Sequence, residues 1–181
     1  MTSADAKRPG QICLSWWRRR IRPTEDTSDA KRNRAALRRV ATPVEAVAVE
    51  AVHELNRGLA NAGDDLRHRS DRLMLIAVVL AHLKSHEPQR RAAMAFGEKV
   101  NERERLGAIR FEGVIRQTDP ALLVRPLVRA LGIIDGRANV ASLAEDLFYW
   151  SDPVRTRWCF DYYGAPGAAP DQTFISSETS A

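Results

Sequence analysis

Ser70-Asp71-Arg72-Leu73-Met74-Leu75-Ile76-Ala77-Val78-Val79-Leu80-Ala81-His82-Leu83 is the stretch on which the fold turns. The eleven residues from Leu73 to Leu83 are apolar at every position but His82. A helix that crosses a bilayer needs about 20 such residues, so this run suits a buried helix instead. Ser70 and Asp71 stand where an N-cap is wanted, with side-chain oxygens that accept from the first unpaired backbone N–H groups.

The flanking sequence repeats the same grammar. Thr42-Pro43-Val44-Glu45 offers a cap oxygen, a proline at the first helical position and a capping-box carboxylate. Asp119-Pro120 and Asp152-Pro153 repeat the cap-then-proline order. Period-two alternation and Asn-Gly or Asp-Gly turns are missing, so strands are not expected. The pattern predicts helices over 29–40, 43–60, 70–86, 88–100, 103–117, 120–134, 139–150 and 153–163, with a kink or early break at Pro126. The expected fold is an all-α bundle of about seven to eight helices, with short antiparallel connections. Residues 1–12 read as a flexible tail, 13–163 as the helical domain and 164–181, rich in Gly, Ala, Pro and Ser, as a disordered tail. Asn61-Ala62-Gly63-Asp64-Asp65 offers a loop, and the domain can divide into lobes 13–90 and 91–163.

Charge is uneven. Residues 1–40 hold eleven Lys/Arg against four Asp/Glu, and residues 99–137 hold eight against five. Residues 138–181 hold two against six, so that end would repel a phosphate backbone. The N-terminus has no apolar segment after its first basic residues, which argues against a secretory leader. Cys13 and Cys159 lie far apart with no CxxC pairing, which suits a reducing cytoplasm.

Chemistry finds little purchase. His82 and His86 are four apart, but a zinc site needs three or four ligands and no third is spaced to join them. Nucleophile elbows and phosphate-cradling glycine loops are missing, and Asp64-Asp65 and Glu145-Asp146 are adjacent pairs that diverge on a helix. No enzyme, metal, cofactor or small-molecule substrate is expected. Arginine is what stands out. Arg34 and Arg38 share a helical face beside Arg39, Arg125 and Arg129 repeat the spacing, and Arg103 and Arg110 lie seven apart, with Arg116 beyond. Arginine's planar fork holds its charge at all relevant pH and grips phosphate in pairs of hydrogen bonds. A solvated, solubilising face has the same spacing. The aromatics Phe148, Tyr149, Trp150, Trp158, Phe160, Tyr162 and Tyr163 have core-like spacing in acidic surroundings, which favours packing over base stacking.

Several segments in this order resemble the CasB family, the small subunit of the type I-E CRISPR Cascade complex. Arg110-Phe111-Glu112-Gly113-Val114-Ile115-Arg116 is similar to that family's RFxxLLR segment. It is followed by Leu122-Leu123-Val124-Arg125 and Leu127-Val128-Arg129-Ala130-Leu131, similar to a Leu/Arg-rich helix. The run closes on Arg155-Thr156-Arg157-Trp158-Cys159-Phe160-Asp161-Tyr162-Tyr163, similar to a terminal RxxWxxDYY. Upstream, Arg34-Ala35-Ala36-Leu37-Arg38-Arg39 resembles an RAxLRR box, with Trp16-Trp17 before it. The chain departs where the family usually has Ser-Glu before Arg-Phe, since Ala108-Ile109 stand there. The resemblance implies a non-catalytic cytoplasmic subunit present as two copies. It implies contact with crRNA and target DNA and with the backbone and large subunits of the complex. On the residues themselves, a spacer that touches only protein remains an alternative. A free-standing DNA-binding regulator is weaker, because the Ser70–Lys84 helix is too apolar to read a groove.

Overall fold

The computed structural model of the chain describes residues 8–164. The fold is all-α, with ten α-helices among the described residues. They are α1 (Pro9–Trp16), α2 (Ser28–Arg39), α3 (Pro43–Val47), α4 (Glu50–Asn61), α5 (Ser70–His82), α6 (Ala92–Gly97), α7 (Ala108–Ile115), α8 (Pro120–Ile133), α9 (Val140–Phe148) and α10 (Asp152–Tyr163). Four two-residue strands join them: β1 (Ser85–His86), β2 (Lys99–Val100), β3 (Arg103–Glu104) and β4 (Arg137–Ala138).

The Leu73–Leu83 run is the axis of the fold. Every residue from Leu73 to Ala81 on α5 is buried. Helices α2, α3, α4, α8 and α9 pack around it, and one hydrophobic core runs from Cys13 to Tyr162. Core residues from before and after the turn at 62–69 belong to that same cluster.

Four departures from the expected elements have local causes. Residues 9–12, expected in the tail, form the first turn of α1, where Pro9 needs no N–H partner. Gly10 is buried there because a Cβ would meet the Ala141 carbonyl oxygen at 2.4 Å and Glu145 Oε2 at 2.8 Å, so α1 lies almost backbone-to-backbone on α9. The expected 43–60 helix is broken at Val49, whose extended backbone turns both α3 and α4 onto α5. The expected 70–86 helix stops at His82. Leu83 is extended, and Ser85 and His86 pair in parallel with Arg137 and Ala138. Gly136 makes that crossing possible, with φ +65° and the His82 carbonyl 2.8 Å from where a Cβ would sit.

The expected 88–100 and 103–117 helices shrink to α6 and α7. Between them Lys99–Val100 and Arg103–Glu104 form an antiparallel hairpin, with φ 51° at Asn101 and 64° at Glu102. A two-residue turn with both central residues left-handed matches the twist of the strands it joins. Helix α8 runs through Pro126 to Ile133, although the proline deprives the Leu122 carbonyl of its helical N–H donor. The break at Val49, together with α1, raises the helix count from the eight expected to ten.

Candidate nucleic-acid interface

Helix α2 sorts the RAALRR arginines by register. Its buried stripe is Ala30, Asn33, Arg34 and Leu37, so Arg34 points inward at 8% exposure while Arg38 and Arg39 stay in solvent. Arg34 is fully engaged: Nη1 donates to the Ile21 carbonyl at 2.6 Å and Nη2 to Asp26 Oδ2 at 2.9 Å. The same hydrogen bond is the main cause that holds the Asp26 carboxyl below its usual range. Arg34 thus ties the π-helical segment Trp17–Ile21, which continues α1, to α2.

Helix α8 meets the exposed end of α2. Arg38, Arg39, Arg125 and Arg129 line one cavity of about 350 Å³, floored by Val78, Val124 and Val128. His82 closes it, with Nδ1 2.8 Å from the Val78 carbonyl oxygen. Burial pushes the His82 pKa down, and the nearby Arg38 charge pushes it further in the same direction. No carboxylate lines this groove among the described residues. Arg39, Arg125 and Arg129 make no ion pair among the described residues, and Arg38 donates only to the Ala81 carbonyl, at 3.3 Å.

A second cavity, of about 500 Å³, opens between α7 and α8 and shares Arg129 with the first. Its walls are Leu106, Pro126, Ala130 and Ile133, and Arg110 stands across from Arg129. The Arg110-Phe111 pair divides its labour. Phe111 is buried and stacked on Tyr162, with ring centroids 3.9 Å apart and planes within 6°, while Arg110 is exposed. Tyr162 Oη donates to the Leu106 carbonyl at 2.6 Å, which fixes the cavity wall to α10.

Five of the eight arginines singled out by spacing therefore adjoin two cavities that share Arg129: Arg38, Arg39, Arg110, Arg125 and Arg129. Three do not. Arg34 is buried, Arg116 pairs with Glu112 at 3.1 Å, and Arg103 sits on β3 rather than on the helix of Arg110. The tryptophans are structural too. Trp16 Nε1 donates to the Ala51 carbonyl at 2.7 Å and Trp17 Nε1 to the Leu80 carbonyl at 3.0 Å. His86 lies on β1 and accepts from the Val140 N–H at 3.1 Å, so it does not converge with His82.

Spacing did not reveal a further basic cleft of about 510 Å³, where Arg8, Arg18, Arg91 and Arg157 gather from four separate stretches. Here carboxylates are present. Arg91 pairs with Asp161 at 3.1 Å, and Arg157 pairs with Asp146, which also accepts from Trp158 Nε1 at 2.7 Å. Only the WWRRR charge run, which supplies Arg18, hinted at it.

The chain's relatives agree with this architecture. The structure is similar to the crystal structure of CasB from Thermus thermophilus, at 24% identity and TM-score 0.63, over 87% of this chain and 99% of that one. It is also similar to a chain of Escherichia coli Cascade bound to a PAM-containing double-stranded DNA target, at 19% identity and TM-score 0.56, over 85% of this chain and 93% of that one. No curated protein sequence matches the chain. The model of the CRISPR-associated protein Cse2 family matches residues 33–163, a span that holds the two cavities bordered by Arg129, and the chain belongs to that family.

Proposed function

We propose that this protein is a non-catalytic subunit of a Cascade-type CRISPR surveillance complex. In this reading it grips nucleic-acid phosphates in the α2–α8 groove and so steadies the guide RNA–target DNA R-loop. One observation carries the reading: four arginines without carboxylate partners among the described residues, from helices far apart in sequence, line one groove. Four like charges gathered along one groove make a positive potential that attracts an anion. Base pairing between guide and target supplies the sequence specificity in such an assembly, so the subunit needs only backbone-directed charge. The similarity to a chain of a DNA-bound Cascade supports a place within such a complex. This reading gives the subunit crRNA, target DNA, the backbone and large subunits and a second copy of itself as partners, in the cytoplasm.

The test is salt dependence. With about four phosphate contacts, log affinity for single-stranded DNA falls against log salt with a slope near −3, from about −0.7 per contact. Arg125→Ala/Arg129→Ala flattens that slope toward about −1.4. A salt-independent affinity, or a double variant that binds like the parent, replaces this reading with that of a spacer touching only protein.

A further inference from the structure

We propose that the cavity between α7 and α8 holds one unstacked base of a single strand whose phosphates lie in the adjoining arginine groove. The inference rests on the phosphate reading above and names the class of nucleic acid: unpaired, not duplex. The walls are carbon from Leu106, Pro126, Ala130 and Ile133, and among the described residues the only charged groups are Arg110 on α7 and Arg129 on α8. Neither arginine has an ion pair among the described residues. An apolar slot between two unneutralised guanidinium groups fits a flat, apolar-faced ligand flanked by anions, which describes a nucleotide in a strand. A guanidinium can bind a phosphate and also lie flat on a base.

Continuity decides where the base comes from. Arg129 borders both cavities, so a backbone running past Arg38, Arg39 and Arg125 carries its next nucleotide over the slot. A base in a duplex is stacked on both faces and cannot enter without being extruded, at a cost that an open strand avoids. The cavity's volume, about 500 Å³, lies within the range of about 300–1,000 Å³ typical of small-ligand pockets. Among the described residues no hydroxyl, amide or carboxylate side chain lines it, so it accepts any base and reads none. The wall is also rigid, because the Leu106 carbonyl is held by Tyr162 and α7 is anchored by the Phe111–Tyr162 stack.

The experiment compares the full chain's affinity for a thymidine 12-mer, for a 12-mer of abasic deoxyribose phosphates and for a 12-base-pair duplex, at one low salt concentration. The expected result is binding about tenfold tighter to the thymidine strand than to the abasic one. Ala130→Leu, which fills the slot, abolishes that ratio and leaves abasic binding and its salt slope unchanged. Should Ala130→Leu fail to fold, Ile133→Gln tests the same wall from its more exposed side. Equal affinity for the thymidine and abasic strands, with the salt slope intact, overturns the base slot and leaves the phosphate groove standing. Duplex binding as tight as single-strand binding also overturns it. Failure to bind any of the three overturns the phosphate groove itself.

Discussion

Two arginine clusters in this molecule are alike in composition, four guanidinium groups each, and differ in their neighbours. In the α2–α8 groove, Arg38, Arg39, Arg125 and Arg129 face one another without a carboxylate. In the cleft beside α1 and α9, Arg91 and Arg157 are neutralised by Asp161 and Asp146. A paired arginine holds the fold together, and removing either partner strands the other. An unpaired arginine contributes little to the fold, so its role lies outside the chain. Stability measurements and binding measurements should therefore move in opposite senses at the two places.

The largest expected effect is on the paired side. Asp146→Ala leaves Trp158 Nε1 without its buried acceptor and Arg157 without its counter-ion, and should cost about 3 kcal/mol in urea unfolding. Burial raises the Asp146 pKa, so the carboxylate is held there against its own desolvation. Arg34→Ala should come next, at about 2 kcal/mol, because the Ile21 carbonyl and Asp26 both lose their donor. It belongs with the paired cluster despite its place in the RAALRR box, and a change in salt slope without loss of stability at Arg34 would break the comparison.

On the unpaired side, Arg125→Ala/Arg129→Ala should leave unfolding stability within about 0.5 kcal/mol while it flattens the salt slope by about 1.4. A smaller effect appears in acid. Asp65 accepts from the Arg67 backbone N–H and from Asn56 Nδ2, which lower its pKa from 3.8 to about 2. Its folded pKa lies below the unfolded one, so its stabilisation is complete above pH 3.8 and drains away as the pH falls toward about 2. Asn56→Ala should shrink the difference in thermal midpoint between about pH 2 and pH 5. The smallest effect is an expected constancy. With its pKa depressed below 6.5, His82 is neutral above pH 7, so DNA affinity should not change from about pH 7 to 9, nor with His82→Gln.

The sequence made the central helix plain, because nothing but burial explains nine consecutive buried residues from Leu73 to Ala81. It made two of the caps plain as well: Thr42 accepts from the Glu45 N–H and Asp119 from the Ala121 and Leu122 N–H groups. The other two expected caps fail, because Ser70 and Asp152 are already helical and the cap positions fall to Arg69 and Ser151, neither with a side-chain cap hydrogen bond. Boundaries set by distant partners were not legible. The end of α5 depends on pairing with Arg137 and Ala138, about fifty residues away, and no local propensity records that. The Asn101-Glu102 hairpin lacks the glycine that announces such turns. The same limit applies to the groove. Spacing put Arg125 and Arg129 on one face, and only tertiary packing brings α2 to them. Conversely, spacing grouped Arg34 with Arg38, yet the register of α2 separates them by sending one inward.

The all-round burial of α5 also bears on how the chain is made. Synthesis delivers residues 70–82 before α8, which begins at residue 120, and before α9, which begins at residue 140. At about 5–20 residues per second, a helix with nine consecutive apolar residues waits several seconds beside the ribosome with two of its five partner helices unborn. Helices α2 to α4 can shield one side of it in that interval. The other side is left for a chaperone, or for slowed translation, until the chain that carries the arginine groove arrives to cover it.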